Sequence, residues 1–142
     1  MTKKLWIALI GFAIILGACS SLKNSQNTAN LGGDEWKLVS VKAADSDELI
    51  IPSPDRLPTL TFDIEKNTIS GSAGCNRVMG PYELKGSSLK FGNIASSMMM
   101  CIEHMNLESA VLKALNEINT YKVKNGQLIL MKESKVLAIY SR

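Results

Sequence analysis

Helical periodicity occurs once in this chain, and that scarcity restricts the fold more than any other feature. Leu107, Val111, Leu115 and Ile118, with Ala110 and Ala114 beside them, recur at the spacing of an apolar helix stripe, while Glu108, Lys113 and Glu117 occupy the other face. Elsewhere the apolar residues come in short alternating runs. Trp36 to Val41, the Leu60, Phe62, Ile64 series and Ile69 to Ala73 read as strands, as do Tyr82 to Leu84 and Ser88 to Phe91 around Lys85-Gly86-Ser87. Ile94 to Ser97 adds a further short strand. Tyr121, Val123, Leu128 and Leu130 flank Asn125-Gly126, the strongest hairpin signal present, and Val136 to Tyr140 forms a last strand. Gly80-Pro81 and the stretch from Asp45 to Pro54 read as interruptions. Short strands joined by tight turns around one helix specify an α+β domain. The expected architecture is a strongly curved antiparallel sheet or small barrel of short strands, with one amphipathic helix covering an open end or edge. No fixed-period repeat is visible, which excludes a solenoid or propeller reading.

The 142 residues divide unevenly. Lys3 and Lys4 precede an apolar run, Leu5 to Leu16, that is too short to span a bilayer, so residues 1–18 read as a secretory signal peptide. The run Leu16-Gly17-Ala18-Cys19 resembles the lipobox of bacterial lipoproteins, which implies cleavage before Cys19 and acylation of that residue. Two or more acyl chains hold a protein firmly on a membrane, where one does not. Residues 19–33 then read as the lipidated Cys and a flexible, polar tether, and residues 34–142 as the only domain. The absence of Asp beside Cys19 favours the outer membrane, with the domain facing the periplasm. Net charge is +3, but Lys3 and Lys4 belong to the signal, so the exported part is nearly neutral. Its basic residues are interspersed with acids, which excludes a nucleic-acid partner.

Three cysteines in an exported protein leave one to account for. Acylation of Cys19 does so. Cys75 and Cys101 remain, and an oxidising compartment favours a disulfide between them; the competing reading keeps both reduced, as metal ligands or a nucleophile.

The stretch Ile69-Ser70-Gly71-Ser72-Ala73-Gly74-Cys75-Asn76-Arg77, then Gly80-Pro81-Tyr82, then Ser97-Met98-Met99-Met100-Cys101 and Glu108 ahead of Leu112 and Leu115, resembles the META domain, or HslJ-like, family. The resemblance runs from Trp36 to the C-terminus. Its motif residues here are Gly71, Gly74, Asn76, Gly80, Met100 and Glu108, besides the two cysteines. It implies a mixed β domain similar to small lipocalin-like barrels, and a link to heat shock, envelope stress and novobiocin tolerance. It implies no catalytic mechanism and no cofactor.

Residue by residue, Gly71 and Gly74 lack the context of a phosphate loop and read as a bulged strand leading to Cys75. Asn76 reads as a turn residue bonding to nearby backbone. Met98, Met100, Cys101, His104 and Met105 form a candidate soft-metal set for Cu(I), because thioether, thiolate and imidazole suit that ion and a helix starting near Ile102 would place the last three on one face. A Cys101–His104 nucleophilic dyad requires a free thiol with a lowered pKa, which oxidation would remove. The expectation is therefore a non-enzymatic, membrane-anchored envelope lipoprotein acting as a binding or stabilising module. Its expected partners are the membrane through its lipid, another envelope protein or a small apolar ligand. The alternative is a periplasmic Cu(I)-binding protein using residues 98–105.

Overall fold

Strand β1 (Glu35–Lys42) pairs on one side with β3 (Thr59–Asp63) and on the other with β10 (Lys135–Ser141), and this double pairing closes the sheet. The computed structural model describes residues 31–142, so the expected signal peptide, Cys19 and the tether up to residue 30 lie outside the described residues. From β3 the ladder runs through β4 (Thr68–Ser72), β5 (Arg77–Lys85), β6 (Ser88–Phe91), β8 (Thr120–Lys124) and β9 (Gln127–Lys132) to β10, every pair antiparallel. Two short strands sit off the ring: β2 (Leu49–Ile50) on β1 and β7 (Ala95–Ser96) on β5. The result is the small closed barrel with one helix, α1 (Met105–Glu117), that the alternating pattern specifies.

An eight-stranded ring is just wide enough for side chains to fill it, and these do. Trp36, Leu60, Ile69, Leu89, Leu128 and Tyr140 are all fully buried inside. Two register slips adjust which residues enter. A slip between Leu38 and Ser40 in β1 turns Trp36, Leu38 and Val41 inward and leaves Val39 exposed; another between Val136 and Ala138 in β10 buries both Leu137 and Ala138. Simple alternation misses both.

At Asn125-Gly126 both residues have positive φ, 53° and 74°, and the flanking Lys124 and Gln127 pair directly, the two-residue hairpin that this dipeptide favours. Gly80-Pro81 behaves otherwise. Strand β5 runs through it without a break, because β5 changes partner from β7 to β6 there and no ladder bond needs the missing N–H of Pro81. A Cβ on Gly80 would lie 2.8 Å from the Asn93 carbonyl oxygen, so the close approach of the crossing chain requires glycine.

The two barrel ends are closed by different means. Leu31, expected in the tether, is fully buried and accepts a 2.9 Å hydrogen bond from the Trp36 indole N–H; Gly32 bridges to Phe62. The fold thus reaches back at least to Leu31, three residues ahead of the expected boundary, because Leu31 plugs this end. At the other end α1 lies across the opening, packing on β1 and β10 from one side and on β6 opposite them, and buries Leu107, Ala110, Val111, Ala114 and Leu115.

Candidate functional site

The β4–β5 connection, Ala73 to Asn76, lies at the helix-covered end. It turns at Gly74, where φ is +111° and a Cβ would press on Leu107 of α1 at 3.3 Å. Gly71 meets a closer neighbour still, since its Cβ would fall 2.0 Å from the Thr59 carbonyl oxygen. The register of β4 is regular on both sides, so the bulge expected at Gly71 and Gly74 is absent; close backbone approach requires glycine at Gly71 and the positive φ favours it at Gly74.

Asn76 is the one polar residue in the buried set among the described residues, at 4 % exposure. It was expected to bond to nearby backbone, and its partners are distant instead. Its Nδ2 donates to both Glu108 carboxylate oxygens at 2.7 and 3.0 Å and to the Met99 carbonyl at 3.1 Å, while its Oδ1 accepts from the Met99 N–H at 2.7 Å and the Ser97 hydroxyl at 2.8 Å. One amide therefore ties the segment 97–99 and the first turn of α1 to the barrel. A buried amide so fully used costs little to bury and much to leave unpaired. Glu108 also complements the positive end of the helix. No local sequence signal predicts this network, because its members lie 21 to 32 positions from Asn76.

Beside Asn76, Cys75 and Cys101 come to disulfide-bonding distance with Cα atoms 6.3 Å apart. The chain then makes a 3-10 turn over Ile102–His104 before α1 begins at Met105. Met98, Met99, Met100, Cys101 and Met105 line a cleft of about 270 Å³ together with Asn76 and Glu108. His104 is not among the lining residues; the Asp55 carboxyl is held below its usual range chiefly by a hydrogen bond from Ser53, with a smaller contribution from His104. The structure thus brings four of the five candidate soft-metal residues together and leaves His104 apart. Among the described residues no group of three or more His, Cys, Asp or Glu side chains is placed to hold a metal.

A second, larger cleft of about 590 Å³ opens between the β1–β2 connection, α1 and the β9–β10 turn. Lys42, Lys113, Lys132 and Lys135 converge there. Asp47 pairs with Lys42 and with Lys135, and Glu117 with Lys113 at 3.9 Å and Lys132 at 3.3 Å. The Lys42 ammonium is held below its ordinary pKa, first by Lys135 beside it and then by burial. Sequence reading missed this cleft because its lysines are far apart in the chain and Asp45 to Glu48 read as a plain exposed connection.

The model of the META domain family matches residues 29–142. The chain belongs to the META domain family. Two solution structures share this META fold: a protein from Burkholderia xenovorans, 28 % identical, with 94 % of this chain and 98 % of that one covered and a TM-score of 0.67, and a second protein, 26 % identical, covering 80 % and 92 % with a TM-score of 0.60. A crystal structure of a DUF4847 family protein from Bacteroides vulgatus, 16 % identical over 78 % and 93 %, shares the fold alone with a TM-score of 0.55. No curated protein matches. Of the residues on which the sequence resemblance rests, Gly74, Cys75, Asn76, Met100, Cys101 and Glu108 gather at the helix-covered end, and Gly71 and Gly80 hold close backbone approaches in the barrel wall.

Proposed function

We propose that this protein is a non-enzymatic envelope lipoprotein, anchored through acylated Cys19 to the outer membrane, whose META domain binds and stabilises another envelope protein during heat or antibiotic stress. The observation that carries the reading is the division of the barrel. Its interior is filled by side chains such as Trp36, Leu60 and Tyr140, so an apolar ligand has no place inside, and both clefts open at the helix-covered end. Leu31, at the start of the described residues, fills the opposite end of the barrel, away from both clefts. His104, the sole histidine, does not line the cleft that holds Cys101, which supports a binding rather than a catalytic role. The Cys75–Cys101 pair, oxidised in the periplasm, would keep this end rigid.

Gene deletion with complementation tests the reading. Loss of the protein should raise sensitivity to heat and novobiocin; the wild-type gene should restore tolerance, and Cys19→Ser should not while also shifting the protein out of the membrane fraction. Unchanged sensitivity in the deletion strain, or full rescue by Cys19→Ser, overturns it. Photocrosslinking from position 113 in the charged cleft should capture one envelope protein that is absent when the probe stands at position 126, on the opposite end.

A further inference from the structure

Methionine is ordinarily a filler of cores, yet on this surface four of them stand in water around a single cleft. Met98 is 99 % exposed, Met100 85 %, and Met105 and Met99 more than half. Packing gives no reason for their position. Their backbone, by contrast, is fixed: Asn76 holds the amide and the carbonyl of Met99, Cys101 is tied to Cys75, and Met105 is the first residue of α1. A rigid backbone carrying three-rotor side chains lets thioethers turn toward a common point at small conformational cost.

We infer that the oxidised domain binds a soft monovalent ion, Cu(I) or Ag(I), through the thioethers of Met98, Met100 and Met105, without Cys101 or His104. Thioethers favour soft, low-coordinate ions over hard ones, so Zn(II), Mg(II) and Ca(II) are not competitors. The ligand set differs from the mixed thiolate, imidazole and thioether set that the sequence spacing suggested. The difference is functional. A site needing the Cys101 thiolate would be lost when the cysteines pair, whereas thioethers carry no proton to lose and no bond to break, so this one works in an oxidising compartment and at any ordinary pH. The inference is independent of any protein partner at the same end.

Competition with a chromophoric Cu(I) chelator, on the full chain purified with its cysteines oxidised, tests it. One Cu(I) per chain is expected, with an affinity flat between about pH 5.5 and 8 and X-ray absorption showing sulfur alone around the metal. Met98→Leu, Met100→Leu and Met105→Leu together, which keep size and leave the core untouched, should weaken binding at least about tenfold with unchanged thermal unfolding. Cys75→Ser with Cys101→Ser should leave binding in place. Four results would overturn the inference: no Cu(I) taken up by the oxidised chain, undiminished binding in the triple Leu variant, binding that appears only on reduction, or an affinity that changes between about pH 5.5 and 8, which would mean that a titrating group is a ligand.

Discussion

Both ends of the barrel are closed by apolar side chains, but the helix-covered end adds a network built on a buried amide. Where the chain enters, Leu31 and Trp36 fill the opening, the indole N–H is satisfied by the Leu31 carbonyl, and the Arg142 guanidinium lies 5.0 Å over the indole ring while pairing with Asp34 at 3.2 Å. Where α1 crosses, one buried amide, a carboxylate and two cysteines fix a segment that leaves its methionines in water. Apolar fill is non-directional and supplies stability; a network of short polar bonds is directional and supplies position. The comparison implies that loss of apolar fill at the first end destabilises the whole domain, whereas loss of the Asn76 hydrogen bonds at the second first misplaces a surface.

The harshest way to break this division is Trp36→Ala, which removes the largest fully buried side chain and should cost about 3–5 kcal/mol, a large share of a small domain's stability. Urea unfolding measures it; a loss below about 1.5 kcal/mol would mean that the entry end does not anchor the fold. Next comes the covalent tie. Cys75→Ser with Cys101→Ser opens a loop with a sequence separation of 26 and should lower stability by about 3–4 kcal/mol in the chain-entropy account. Reductant should lower the wild type to the same level and leave the double variant unmoved. A change under about 1 kcal/mol would assign the whole task of holding residues 97–101 to Asn76.

Much of the fold was legible because it is written locally. The stripe at Leu107, Val111 and Leu115 and the turn at Asn125-Gly126 need no distant information, and both appear as read. Ring closure was readable only as a tendency, since the β1–β10 pairing joins residues a hundred positions apart. The errors have physical causes. Pro81 looked like a break because a proline usually costs a ladder bond, but here β5 was changing partners; Leu31 looked like tether because its neighbours are polar, although one leucine suffices to plug an end. At the site, the motif residues could be named from resemblance. The joining of Asn76 to Glu108 and the gathering of four lysines depend on tertiary placement and left no local trace.

Asn76→Ala sharpens the comparison at an intermediate scale. It strands the Met99 N–H and the Glu108 carboxylate and should cost about 1–3 kcal/mol. Hydrogen exchange should accelerate at Met99 while the entry end stays protected; uniform acceleration would contradict positional control. Asn76→Asp adds a pH test. Two carboxyls at the present 2.7 Å contact cannot both ionise cheaply, so the pair's pKa is raised in the folded state relative to the unfolded one. That variant should therefore be most stable near pH 4 and lose stability as pH rises through the raised value. Equal stability of the Asp variant at pH 4 and 7 would show that the two side chains do not meet.

The smallest effect should have the opposite sign. Tyr121, on β8, is buried in the barrel, and its hydroxyl has no hydrogen-bond partner among the described residues. Burial pushes its pKa up, with Tyr82 adding to the shift. An unpaired buried hydroxyl has given up water without return, whereas the Asn76 amide, at similar burial, has filled its bonding capacity. Tyr121→Phe keeps the ring and deletes only the oxygen. Stability should stay level or rise by up to about 1 kcal/mol, read from the urea midpoint at constant slope. A loss of more than about 1 kcal/mol would mean that the hydroxyl is satisfied, and that the barrel interior, like the helix-covered end, contains a polar contact that positions its neighbours.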